Sequence, residues 1–78
     1  MKELLEFIAR SLVEDVASVQ VIERVMGSRV DLELVVAEED MGRIIGRGGS
    51  IAGAIRSLLR VAAAHEGMHV NLDIGPSQ

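Results

Sequence analysis

Residues Ile44-Ile45-Gly46-Arg47-Gly48-Gly49-Ser50-Ile51 constrain this chain more than any other stretch. Two branched apolar residues run into a four-residue turn with glycine at both ends, and an apolar helix pattern follows. A turn without Cβ atoms at its ends lets backbone N–H groups approach a ligand closely. The helix behind it points its positive N-terminus at the same spot. A phosphate suits that geometry.

The rest of the pattern supplies the scaffold. Leu4, Leu5, Ile8, Leu12 and Val16 share one side at helical spacing, which predicts a helix over 2–17. Val19 to Val25 is rich in β-branched residues and reads as a strand. Met26-Gly27-Ser28-Arg29 supplies a tight turn. Val30, Leu32, Leu34 and Val36 alternate with Arg29, Asp31, Glu33 and Val35, so the second strand has one buried and one largely wet face. Glu38, Glu39 and Asp40 open a short helix, where carboxylates favour the dipole. It runs through Met41 to Ile45 and stops at Gly46. Ile51, Ala54, Ile55, Leu58, Leu59 and Ala62 form an apolar stripe on the long helix that follows, opposite Gly53, Arg56, Ser57, Arg60 and Ala64. Gly67 ends that helix. Val70, Leu72 and Ile74 alternate with His69, Asn71 and Asp73 in a last strand, and 75–78 is a tail.

The predicted order is α-β-β-α-α-β. The first two strands form an antiparallel hairpin, and two intervening helices allow the third to pair in parallel. Three helices on one face of a three-stranded sheet make an α+β core. The expectation is a single domain over 1–78 with its core at about 2–74.

Composition narrows the function. With no cysteine there is no disulfide and no thiolate metal site. No apolar run approaches membrane-spanning length. Glu3 and Glu6 among the first apolar residues, with no small-residue cleavage site, argue against a signal peptide and for a cytoplasmic protein. The net charge of −4 is unevenly spread. Arg43, Arg47, Arg56 and Arg60 lie between Met41 and His65 with no acid, so that segment carries +4 and the rest −8. Screening beyond roughly 10 Å makes the local charge matter more to a polyanion than the sum.

Competing motifs fail on context. Gly-Lys-Ser/Thr is missing for a Walker A loop. A dinucleotide fingerprint needs glycine where Ile51 stands, and a strand before the turn. Gly49 and Gly53 fit the membrane GxxxG pattern, but Arg47, Arg56 and Arg60 exclude a span. His65-Glu66-Gly67-Met68-His69 matches the zinc-protease signature by chance: Gly67 interrupts the helix the motif needs, and His69 starts a strand. No nucleophile–base–acid set occurs, so the chain is read as no enzyme, with neither metal nor cofactor.

From Glu39 through Ile51, and again at Ala54-Ile55-Arg56, the chain resembles the small bacterial KH-domain RNA-binding proteins of the KhpA type. A GXXG loop clamping a nucleic-acid backbone marks KH domains. The resemblance extends over almost the whole chain and implies the type II KH fold in the order read above. It also implies RNA binding, an RNA-chaperone role, a larger Jag-type KH partner, and links to cell shape and envelope homeostasis. Such proteins often carry a basic residue immediately after the glycine turn, where this chain has Ser50. The only aromatic residue is Phe7, so base stacking gives way to apolar contacts from Ile44, Ile45 or Ile51.

The expected activity is weak, sequence-tolerant binding of single-stranded RNA. Gly46 and Gly49 shape the loop, and amides around Arg47, Gly48 and Ser50 hold phosphate. Arg43 and Arg47 add charge, Ile45 and Ile51 form an apolar wall, and Gly42 admits close backbone approach. Arg29 and Arg56 extend the basic track. The alternative is an interaction module that pairs with a second copy or a Jag-type KH protein through the last helix. There Gly53, Ala63 and Ala64 permit close contact, and Gly53, Ser57 and Ala64 form the exposed flank.

Overall fold

The computed structural model describes residues 1–77. Its elements are α1 (Lys2–Leu12), β1 (Gln20–Met26), β2 (Arg29–Val36), α2 (Met41–Ile45), α3 (Ser50–His65) and β3 (His69–Pro76). Short 3-10 turns at Val16–Ser18, Glu38–Asp40 and Arg47–Gly49 join them. The α-β-β-α-α-β order is the one the hydrophobic pattern predicts. The sheet order is β1-β2-β3, antiparallel between β1 and β2 and parallel between β2 and β3.

β2 forms as its alternation dictates. Val30, Leu32, Leu34 and Val36 are all buried, and Val21 lies across from Leu34 while Leu72 lies beside Leu32. Leu5 and Ala9 of α1, Ile44 of α2, and Ile55 and Leu59 of α3 close over that face as one core. The other face carries Arg24, Asp31 and Asn71 in one cross-strand row. The hairpin loop is Gly27-Ser28. Gly27 has φ +59° and, among the described residues, none but glycine has positive φ, so Ser28 is negative, the sign pattern of a type II′ turn.

Several details depart from the pattern. α1 stops at Leu12, not at 17, because Val13 turns extended (φ −92°, ψ 160°) and the amides after it bond elsewhere. Leu5 and Ala9 face the core, whereas Leu4, Leu12 and Val16 stay substantially exposed. β1 is shifted by one residue relative to 19–25. The inward face of α3 is Ala52, Ile55, Leu59 and Ala63, rotated from the predicted stripe. Small residues at both ends of that face let the helix lie close to the sheet. Leu58 is left 57 % exposed, and Ala63 is buried rather than free for pairing. β3 runs through Pro76, and Ser77 N–H still donates to the Val36 carbonyl at 2.7 Å, so 75–77 belong to the sheet rather than to a tail, and Gln78 lies outside the described residues.

α3 ends where glycine allows. Gly67 has φ +69°, its N–H reaches the Ala64 carbonyl at 3.1 Å, and Met68 N–H reaches Ala63 at 2.8 Å. This pair of bonds is a Schellman cap. It puts His65 on the last turn of α3 and His69 at the start of β3, so the two histidines share no helix face.

Candidate nucleic-acid interface

The glycine turn is held from inside. Gly46 has φ +75° and ψ 172°, a conformation essentially reserved for glycine. A Cβ there would lie 2.8 Å from the Ile51 amide nitrogen and 2.9 Å from its Cβ. Ile51 is itself half-buried against the core, so it cannot retreat. Gly48 (φ +63°) and Gly49 (φ +81°) are also left-handed, but a Cβ on either would meet nothing within 4 Å. The turn is therefore packed at its first glycine and open at its last two.

This conformation decides which amides are free. Gly46 N–H closes α2 onto the Gly42 carbonyl at 2.9 Å, and Gly49 N–H folds back on Gly46 at 3.2 Å. Ser50 N–H folds back on Arg47. Among the described residues, the Arg47 and Gly48 amides donate to no backbone carbonyl. Gly49, not Ser50, occupies the N-cap of α3, and Ser50 is its exposed first residue with no side-chain cap bond. The Ser50 hydroxyl is thus left to a ligand rather than to the helix. Ile45 and Ile51 are half-buried beside the turn, while Ile44 is wholly buried and cannot be a groove contact. Gly42 is exposed, and a Cβ there would meet nothing of the protein.

The arginines divide into two groups. Arg47 projects from the turn in no ion pair among the described residues. Arg43 is committed elsewhere: its Nε lies 3.4 Å from Asp40 Oδ1, and its guanidinium also pairs with Glu14. Arg29 and Arg56 line not the turn but a depression of about 470 Å³ that Arg24 and Arg60 also line, together with the carboxylates Asp31, Glu33 and Asp73. Arg29 pairs with Asp31 at 3.0 Å, and Arg56 donates to the Leu72 carbonyl at 3.1 Å. Phe7 projects from α1, 71 % exposed, and lines none of that depression.

Residues 2–74 match the family model described as KhpA/KhpB, KH domain. The chain belongs to that family. The RNA-binding protein KhpA of Clostridium acetobutylicum is 49 % identical over 74 residues, spanning 95 % of this chain and 99 % of that one. Those of Borreliella burgdorferi (49 %, 92 % of this chain, 88 % of that one) and Chlamydia trachomatis (38 %, 95 % of each) are similar over the same extent.

In this KhpA/KhpB-type KH domain, the surroundings of three residues are not legible in the sequence pattern. Arg60 and Arg24 join Arg56 and Arg29 only because α3 lies beside β3 and β2 brings β1 alongside. Asp40 reads as an ordinary first-turn carboxylate, yet it is 2 % exposed. Its two oxygens accept the Glu14 and Asp15 amides, each at 3.0 Å. Those two bonds, with Arg43 beside them, hold its carboxyl below the usual carboxylate range. Asp31 is also lowered, first by its bond from Arg29. No helix among the described residues is long and apolar enough to cross a membrane.

Proposed function

We propose that this chain binds single-stranded RNA without catalysing a reaction, in the cytoplasm, as an RNA chaperone. The observation that carries the reading is the turn itself. Gly46, fixed against Ile51, leaves the Arg47 and Gly48 amides undonated beside an unpaired Arg47. Two N–H donors without a backbone acceptor, a guanidinium and a Ser50 hydroxyl outside any cap bond match a phosphodiester. Ile45 and Ile51, with the open backbone at Gly42, offer the adjoining sugar and base an apolar wall. Arg29 and Arg56, with Arg24 and Arg60, would take the strand beyond the turn. Similarity to proteins named for RNA binding supports the same reading.

Replacing Arg47 and Gly48 together with Asp tests it. Both residues are exposed and outside the core. Aspartate is among the residues that tolerate the left-handed backbone at Gly48. The double variant should fold and lose RNA binding in a low-salt titration. Unchanged affinity would remove the turn from the interface.

A second reading is favoured by the outer face of α3. Leu58 and Val61, 57 % and 58 % exposed, stand one turn apart there. Pairing with a second copy, or with a Jag-type KH protein, would cover them. Two bound copies would also present two phosphate turns to one RNA, so the readings are compatible.

A further inference from the structure

The turn's position depends on how α2 is held, and α2 cannot hold itself. A five-residue helix lies far below the length at which helices are stable alone. Ile44 buries its middle, and the Gly46–Ile51 approach fixes its C-terminal end. Its N-terminal end is fixed by Asp40, whose carboxylate grips the Glu14 and Asp15 amides in the connection between α1 and β1. Six residues of helical rise separate Asp40 from Gly46, about 9 Å, so a tilt at one end displaces the other. Arg43 lies on the same grip, bridging Asp40 to Glu14.

The geometry points to Asp40 as a positioning residue for the phosphate turn, and to Arg43 as part of that clamp rather than a phosphate ligand. The inference rests on the turn being the RNA site. Its physical basis is economy of charge. An arginine held between two carboxylates has little field left for a phosphate, whereas the same pairing stiffens the connection that α2 leans on. Arg47 is then the turn's own cation.

Salt dependence separates the two roles. A side chain that neutralises a phosphate contributes about 0.7 to the slope of log K against log salt on a single strand. Loss of a positioning side chain lowers affinity at every salt concentration and leaves the slope alone. The full chain and its Arg47→Gln, Arg43→Gln and Asp40→Asn variants would be titrated with an unstructured single-stranded RNA oligonucleotide across a salt series. Amide hydrogen exchange would be followed by NMR on the free proteins. Arg47→Gln should flatten the slope by about 0.7. Arg43→Gln should weaken binding several-fold along a parallel line and speed exchange at Gly46 and Gly49, the amides that close α2 and the turn. Asp40→Asn should do the same more strongly and also speed exchange at Glu14 and Asp15.

Equal flattening by Arg43→Gln and Arg47→Gln would overturn the assignment of Arg43. Faster exchange confined to Glu14 and Asp15 in Asp40→Asn, with affinity unchanged, would overturn that of Asp40. Should Asp40→Asn not fold, loop exchange and slope in Arg43→Gln decide both, because that side chain is half-exposed and its loss spares the core. A parent that binds no RNA refutes the phosphate reading, and the exchange pattern still judges the clamp.

Discussion

Gly46 and Ile51 approach so closely that a methyl group on the glycine would sit 2.8 Å from the isoleucine amide nitrogen. That contact couples the end of α2 to the start of α3 and makes the turn a rigid corner, although its last two glycines face open space.

Gly46→Ala and Gly48→Ala should therefore differ sharply. The first adds a methyl to an occupied volume at a glycine-only conformation, for a loss of about 3 kcal/mol or more. The second meets only the left-handed backbone penalty, about 1 kcal/mol. Thermal or denaturant melts of both variants check this. Equal losses would mean that the Gly46–Ile51 approach carries no strain.

The sheet was legible because β2 alternates without interruption, and a single register buries Val30, Leu32, Leu34 and Val36 together. The glycine corner was legible because few backbones require Gly46, Gly48 and Gly49 so close together. The facing of α3 was not. Leu58 and Leu59 are adjacent, and alanines surround the helix, so apolarity marks more than half its circumference and the inward arc is chosen by how near Ala52 and Ala63 can approach the sheet. The end of α1 was not legible either, because the carboxylate that captures its trailing amides lies 25 and 26 residues away. The pairing of Arg43 is not legible for the same reason: its acid partner Glu14 lies 29 residues away.

Asp40 makes stability sensitive to acid in a defined direction. Its carboxyl is lowered in the folded chain, chiefly by the Glu14 and then the Asp15 amide. The stabilisation is therefore complete above the unfolded value, about pH 4, and is lost as pH falls below that toward the lowered folded value. Asp40→Asn should be less stable than the parent at neutral pH, and the gap should narrow as pH drops through 4 to 3. Melting both proteins across that range checks the sign. A gap independent of pH would show that the carboxylate charge contributes nothing.

Arg56 and Arg60 should separate stability from binding. Arg56 is half-buried and donates to a carbonyl of β3, so Arg56→Ala should lower stability by about 1 kcal/mol. Arg60 is exposed, in no ion pair among the described residues, and Arg60→Ala should change stability by less than about 0.5 kcal/mol. Both line the same depression, so both should weaken RNA binding. Melts paired with titrations test this, and normal affinity in both variants would confine the RNA to the glycine turn.

The outer face of α3 gives the test of assembly. Leu59 is wholly buried, and Leu59→Ala should cost about 2–5 kcal/mol at any protein concentration. Leu58 touches mostly solvent in the single chain, so Leu58→Glu should leave an isolated copy nearly as stable as before. In a symmetric dimer the same change puts two carboxylates into one apolar contact, because every residue of such an interface occurs twice. Association should then fail, and the concentration dependence of the melting temperature should vanish with it. Ser57→Glu, on the neighbouring flank with Gly53 and Ala64, distinguishes the two faces of the helix. If Ser57→Glu dissociates the pair and Leu58→Glu does not, the contact lies on the small-residue flank; the reverse places it on Leu58 and Val61. Sedimentation of the parent and both variants over a range of concentrations decides between them, and a parent that stays monomeric throughout removes self-pairing altogether.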